Sequence, residues 1–180
     1  MTLTKPLTEF RSFTEIRKAE RGLTGYAAKF GVEARIGNYV EVIKAGAFRE
    51  TLSGGRDILA LVDHDLTKVL ARTRSGSLKL IEDTAGLQFD LSLPQTTAGR
   101  DVLELANRGD LGGMSFGFTV NGKDGEHWTD NRRELRSINL VEISVVSSWP
   151  AYPDTVVLAR SKTPRLNLVR LYLETCNKWA

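Results

Sequence analysis

From Glu9 to about Asp130 the chain consists of short runs of Val, Ile, Leu, Phe and Tyr that Gly, Asn and Asp interrupt every few residues. Such runs suit pleated strands, and turn residues this frequent leave little room for long helices. Strands are expected at 11–18, 23–30, 58–63, 68–72, 77–81, 87–93, 113–120, 126–129, 133–135 and 138–147. In the sixth of these, Leu87, Phe89, Leu91 and Leu93 alternate with Gln88, Asp90 and Ser92, so one face of that strand should be buried. Three helices are expected to interrupt the pattern. The first covers 45–52 and ends in Ser53-Gly54-Gly55. The second is capped by Thr96 or Thr97, carries Val102, Leu105 and Ala106 on one side and stops at Gly109. The third starts at Thr163-Pro164 and presents Leu168, Leu171 and Tyr172. The fold class is therefore α+β and β-rich, with a flexible segment 1–8, a single domain over 9–158, and a C-terminal helix over 163–180 that docks on the domain or pairs with a second copy.

Composition narrows the function classes. The 180 residues suffice for one core, and 41% apolar with 26% charged is ordinary for a folded domain. Lys and Arg number 25 against 22 Asp and Glu, a balance too even to mark a nucleic-acid surface. The single cysteine, Cys176, allows no internal disulfide and fits a reducing compartment. No apolar run approaches the roughly 18 residues of a membrane helix, and the first ten residues hold no signal core, so no membrane partner is expected. The two histidines, His64 and His127, stand at no metal-binding spacing. An oligonucleotide-binding barrel is also disfavoured, because the aromatic residues are scattered among Gly-rich and apolar strings instead of sharing a basic strand face.

Three places could carry chemistry. His64 ends an apolar strand, flanked by Asp63 and Asp65, and is either a base or a surface histidine. Ser115 stands in Gly112-Gly113-Met114-Ser115-Phe116-Gly117-Phe118, where small residues let another backbone approach and leave amide groups to face an oxyanion. The string is not the GxSxG nucleophile elbow, and a serine at the start of a glycine-rich strand is the plainer reading. Glu142 interrupts an apolar strand, with Glu142, Ser144 and Val146 on one face; it is either solvent-facing or buried with a donor such as an imidazole N–H. His127, between Glu126 and Trp128 near a turn, reads as a surface residue.

Taken together and in order, these strings resemble the tailed-phage prohead proteases, serine endopeptidases of capsid maturation. The resemblance rests on Gly25-Tyr26-Ala27-Ala28-Lys29-Phe30-Gly31, Ile43-Lys44-Ala45-Gly46-Ala47-Phe48, His64, the Ser115 string, Leu140-Val141-Glu142-Ile143-Ser144-Val145-Val146 and Pro150-Ala151-Tyr152-Pro153, and spans about residues 20–157. It implies a fold similar to the herpesvirus assemblins, a β-barrel core with surrounding helices, and makes 9–158 the protease domain. Carried over by position, Ser115 is the nucleophile, His64 the general base and Glu142 the third member, with Asp63 and Asp65 as competitors for that last role. The backbone of Met114, Ser115 and Phe116 is the candidate oxyanion hole, with Arg132 or Arg133 as an auxiliary. No metal or organic cofactor is implied. The implied partner is the major capsid protein or its scaffolding segment, cleaved inside the immature capsid in the host cytoplasm, with autocleavage and a homodimer or higher oligomer as further implications. The alternative is a catalytically silent assembly module that binds scaffold or capsid. One departure, Ser148-Trp149-Pro150-Ala151 where the family often has Thr-x-Pro-Ala, falls at the edge of an expected substrate groove.

Overall fold

The computed structural model describes residues 8–13, 15–19 and 22–147, and over these the short apolar runs become strands. The segment 11–18, expected as one strand, is divided between β1 (Glu9–Phe13) and β2 (Glu15–Ala19). After β3 (Gly22–Lys29) comes a hairpin of β4 (Glu33–Ile36) and β5 (Tyr39–Ile43), then helix α1 (Arg49–Ser53) and strands β6 (Leu59–Val62), β7 (Asp65–Arg72), β8 (Leu78–Glu82) and β9 (Gly86–Ser92). Helix α2 (Thr97–Arg108) leads into β10 (Gly113–Val120), followed by β11 (Glu126–Thr129), β12 (Arg132–Leu135) and β13 (Ile138–Val146). The expected C-terminal helix, Cys176 and the Ser148–Ala151 string lie outside the described residues, as do the first seven.

The strands form three sheets, in the orders β1-β10-β13-β6-β7, β11-β12-β5-β4 and β2-β3-β9-β8. Pairing among the described residues closes no ring, and these residues are β-rich with two helices and no closed hydrogen-bonded barrel among them. Leu23, Phe48, Phe89, Phe116, Phe118, Leu135 and Ile143 are buried in one shared core to which all three sheets contribute. In β9, Leu87, Phe89 and Leu91 are buried while Gln88, Asp90 and Ser92 are exposed, as the alternation requires. Helix α2 has its expected ends: Thr96 Oγ1 accepts the Gly99 N–H at 3.2 Å, and Gly109 closes the helix at φ +75°.

Two departures from the sequence expectation have clear causes. The run 11–18 changes sheets between Phe13 and Glu15, since β1 pairs with β10 and β2 with β3. The β4–β5 hairpin is absent from the expected strands because Glu33, Arg35 and Glu41 mask its apolar character. Its signal was the two-residue Gly37-Asn38 loop, with Gly37 at φ +61° and Ile36 paired to Tyr39.

β1 is an edge strand fastened by charge. On the core side of that strand, Arg11 gives its guanidinium to buried Glu41 of β5, through Nε and through Nη2 at 2.7 Å. Arg133 of β12 donates to the same carboxylate at 2.9 Å and to Glu9 at 2.7 Å, and also reaches Glu126. The two cations share Glu41 as their one fully buried anion, and its removal leaves both guanidinium groups with only the more exposed carboxylates of Glu9 and Glu126 as partners. Burial alone raises the Glu9 pKa, yet the Arg133 and Arg11 guanidinium groups outweigh it and hold the carboxylate below its usual range. The Glu9 share of stability is therefore complete above the usual carboxylate range and is lost as acid carries the pH down through the depressed folded-state pKa. Glu41→Ala is expected to lower the unfolding free energy by about 3–5 kcal/mol, read from urea unfolding at neutral pH. Glu9→Gln should cost less, and that cost should fade in acid. An unchanged urea midpoint for Glu41→Ala would show that this cluster does not fasten β1.

Candidate active site

Strand pairing brings the candidate residues onto one face of the first sheet. β10 lies between β1 and β13, with Ser115 opposite Ser12 on one side and Ser144 on the other, and Gly117 opposite Phe10 and Glu142. The apolar side chains of β10, Met114, Phe116 and Phe118, point the other way into the core. A bulge sets the aim of Glu142. Ile138 and Leu140 face the core, as do Ile143 and Val145, a change of parity that strict alternation forbids. The change occurs where the register slips: Gly117 pairs with Glu142 but Phe118 with Leu140, leaving Val141 as the extra residue. A bulge re-aims the side chains that follow it. Here it turns Glu142 and Ser144 onto the face that carries Ser115.

His64 reaches the same face from a turn, and is not in a strand as its apolar prefix suggested. β6 runs parallel to β13, and its hairpin with β7 closes at the Val62–Asp65 pair around a two-residue loop. Both loop residues have positive φ, +48° at Asp63 and +60° at His64, a conformation that two-residue hairpins need and that side chains other than Gly resist. β13 holds the loop there. The Asp63 N–H donates to the Val145 carbonyl at 2.9 Å, and the Asp63 carboxylate accepts the Ser147 N–H and hydroxyl, each at 2.8 Å. The His64 N–H donates to Ser144 Oγ at 3.2 Å.

The imidazole itself meets Glu142. His64 Nδ1 lies 2.9 Å from Glu142 Oε1, and the other carboxylate oxygen accepts the Ser144 hydroxyl. Glu142 is 4% exposed, so its charge needs these donors. A carboxylate at this distance places the ring hydrogen on Nδ1 and leaves Nε2 as an acceptor. The Phe10 ring stands edge-on to the imidazole with centroids 4.5 Å apart. Gly117 makes this packing possible, since a Cβ there would come within 2.6 Å of Glu142 Oε1 and 2.8 Å of the Phe10 ring. Its smallness serves the carboxylate and the aromatic ring, a role the glycine-rich string alone does not reveal. Phe10 and Ser144 are likewise invisible as site residues in the sequence; the one available signal was that Ser144 shares the parity of Glu142.

Ser115 is fully buried, and its hydroxyl donates to the Arg11 carbonyl at 2.8 Å. Among the described residues no hydrogen bond joins it to His64. The amides of Met114, Ser115 and Phe116 belong to a strand paired on both sides, which directs them along the sheet toward β1 and β13. The two aspartates beside His64 are engaged elsewhere: Asp63 with Ser147, and Asp65 with the Thr67 hydroxyl at 2.6 Å and the Thr67 N–H at 2.9 Å, bonds that lower its pKa. Arg133 is held in the Glu9–Glu41 cluster and Arg132 pairs with Glu33, so both auxiliary donors suggested by the sequence are committed away from this face. His127 is exposed on β11, opposite Glu134 in a different sheet. A surface cavity of about 720 Å³ between α1 and β8, lined by Arg56, Asp57, Arg74 and Ile81 among others, contains none of the candidate residues.

No curated protein matches the chain. The structure is similar to that of the bacteriophage T4 capsid assembly protease, gp21, with a TM-score of 0.58 at 10% identity over 81% of this chain and 100% of that one. At that identity the likeness concerns fold. The sequence profile described as caudovirus prohead serine protease matches residues 10–167, most of the chain. On that match, the chain belongs to the prohead serine proteases of tailed phages, the family of capsid-maturation proteases.

Proposed function

We propose that this chain is a serine endopeptidase that cuts the scaffolding portion of a phage capsid protein, and itself, inside the immature capsid, with Ser115, His64 and Glu142 as the reacting set. The observation that carries the reading is the His64–Glu142 contact, a buried carboxylate 2.9 Å from Nδ1, on the sheet face that also bears Ser115. A serine hydroxyl is a weak nucleophile until a base takes its proton, and the base works only in the tautomer that leaves its acceptor nitrogen free. Glu142 supplies that tautomer.

The chemistry follows from these positions. The Ser115 hydroxyl turns from the Arg11 carbonyl to His64 Nε2 and attacks the scissile carbonyl as its proton passes to the imidazole. The tetrahedral oxyanion calls for fixed donors, and the Met114–Phe116 backbone is the proposed set, which requires β1 to release its pairing with that stretch of β10 when substrate binds. Collapse expels the amine, which takes the proton from Nε2. Water, activated by the same nitrogen, then cleaves the ester and restores Ser115. An assemblin-like barrel and a dimer formed through 163–180 belong to the same reading; three sheets around one core support the first, and light scattering tests the second.

A silent assembly module that binds capsid or scaffold protein has one observation in its favour, the full burial of Ser115 under its bond to Arg11. The two readings part on cleavage. Incubation with the capsid protein of the same phage, followed by intact-mass analysis, should give new fragments with the unaltered chain and none with Ser115→Ala or His64→Ala, while His127→Ala stays close to normal. Fragments from Ser115→Ala would refute the assignment. The third role is tested separately. Glu142→Gln keeps the shape but not the charge, and its cleavage rate should fall by up to about 10⁴-fold. Asp63→Asn and Asp65→Asn should be mild, since an amide oxygen still accepts from Ser147 or Thr67. A nearly normal Glu142→Gln beside a crippled aspartate variant would move the role to that aspartate.

A further inference from the structure

Ser144 is a fully buried serine in a strand whose other buried residues after the bulge, apart from Glu142, are apolar. Its hydroxyl is used on both sides. It donates to Glu142 Oε2 and accepts the His64 backbone N–H at 3.2 Å. We infer that Ser144 is a positioning residue, whose one hydroxyl fixes the Glu142 carboxylate and the His64 turn together and so sets the imidazole over the face that bears Ser115. This inference rests on the reading of Ser115, His64 and Glu142 as the reacting set.

Two geometric facts support it. First, the two oxygens of Glu142 have different partners, His64 Nδ1 on Oε1 and the Ser144 hydroxyl on Oε2. A carboxylate held at one oxygen can still swing about its terminal torsion, whereas one held at both cannot. The Phe10 ring and the bare Cα of Gly117 close the remaining space around it. Second, His64 sits at φ +60°, where a residue with a side chain stays only if its surroundings hold it. The Ser144 Oγ bond is the hold on its backbone N–H, and the Asp63 bonds to Val145 and Ser147 hold the other half of the loop. Loss of the Ser144 hydroxyl therefore frees the acid and the base at once, without removing either.

The test compares Ser144→Ala, Ser144→Val and Ser144→Thr. Val and Thr have nearly the same shape, so their difference reports the hydroxyl and not the fit of the side chain. The first readout is the rate at which a fluorophosphonate labels Ser115. The second is the downfield proton resonance of His64 Nδ1–H in the unlabelled protein, with thermal unfolding run alongside. Ser144→Ala and Ser144→Val should label roughly 10- to 100-fold more slowly, Ser144→Thr should regain most of that rate, and the Nδ1–H resonance should shift or broaden in the first two variants only. Ser144→Ala labelling at the unaltered rate with an unmoved resonance would overturn the inference. So would Val and Thr variants slowed equally, which would indicate packing alone. If the unaltered chain fails to label at Ser115, the reacting set is wrong, and the resonance still decides whether Ser144 holds the imidazole.

Discussion

A carboxylate buried in an apolar strand needs donors, and the arrangement around Glu142 meets that need. The charge is stable at 4% exposure only because an imidazole and a hydroxyl face its two oxygens. That requirement draws the β6–β7 turn over the sheet, keeps position 117 without a side chain, and ties His64 to β13 through its ring and its backbone. Each feature costs something alone: two positive φ values at residues with side chains, a glycine inside a strand, a bulge that breaks the ladder. They are consistent because all of them serve one ion-bearing contact.

The first sheet joins this contact to the rest of the molecule. β13 and β6 run parallel, with Glu142 opposite Leu59 and Val145 opposite Val62, the last residue before the His64 turn. On the other flank of β10, β1 carries alternate residues to different tasks. Phe10 and Ser12 lie on the Ser115 face, while Arg11 crosses to Glu41 in the second sheet. The strand whose carbonyl holds the Ser115 hydroxyl is therefore also the one that the Arg11–Glu41–Arg133 cluster fastens. Stability and access to the nucleophile are linked through β1.

Local pattern made much of this fold legible and left the rest to partners. Strands 113–120 and 126–129 occur at their expected bounds, and α2 has its expected cap and stop, because alternation, a capping threonine and a terminal glycine act within a few residues. The candidate residues His64, Ser115 and Glu142 were also named from the sequence, through strings that resemble a family. What the sequence hid depends on pairing. Nothing local tells that 11–18 divides between two sheets, that Val141 is the extra residue of a bulge, or that Asp63 and His64 form a turn instead of ending a strand. In the sequence Ser144 is a strand residue on the face of Glu142 and Gly117 a small residue that lets another backbone approach; their significance appears only when β10 and β13 lie side by side. Arg133, suggested as an oxyanion donor, is instead committed to a buried ion cluster formed by residues distant in sequence.

The most direct measurement is the position of a covalent adduct. The 180-residue chain is treated with a fluorophosphonate at neutral pH, digested, and sequenced by tandem mass spectrometry. The expected result is a single phosphonylated residue, Ser115. An adduct on another serine, such as Ser12 or Ser144, or no adduct under conditions where the chain is folded, would contradict the assignment of Ser115 as a nucleophile activated by the His64–Glu142 pair.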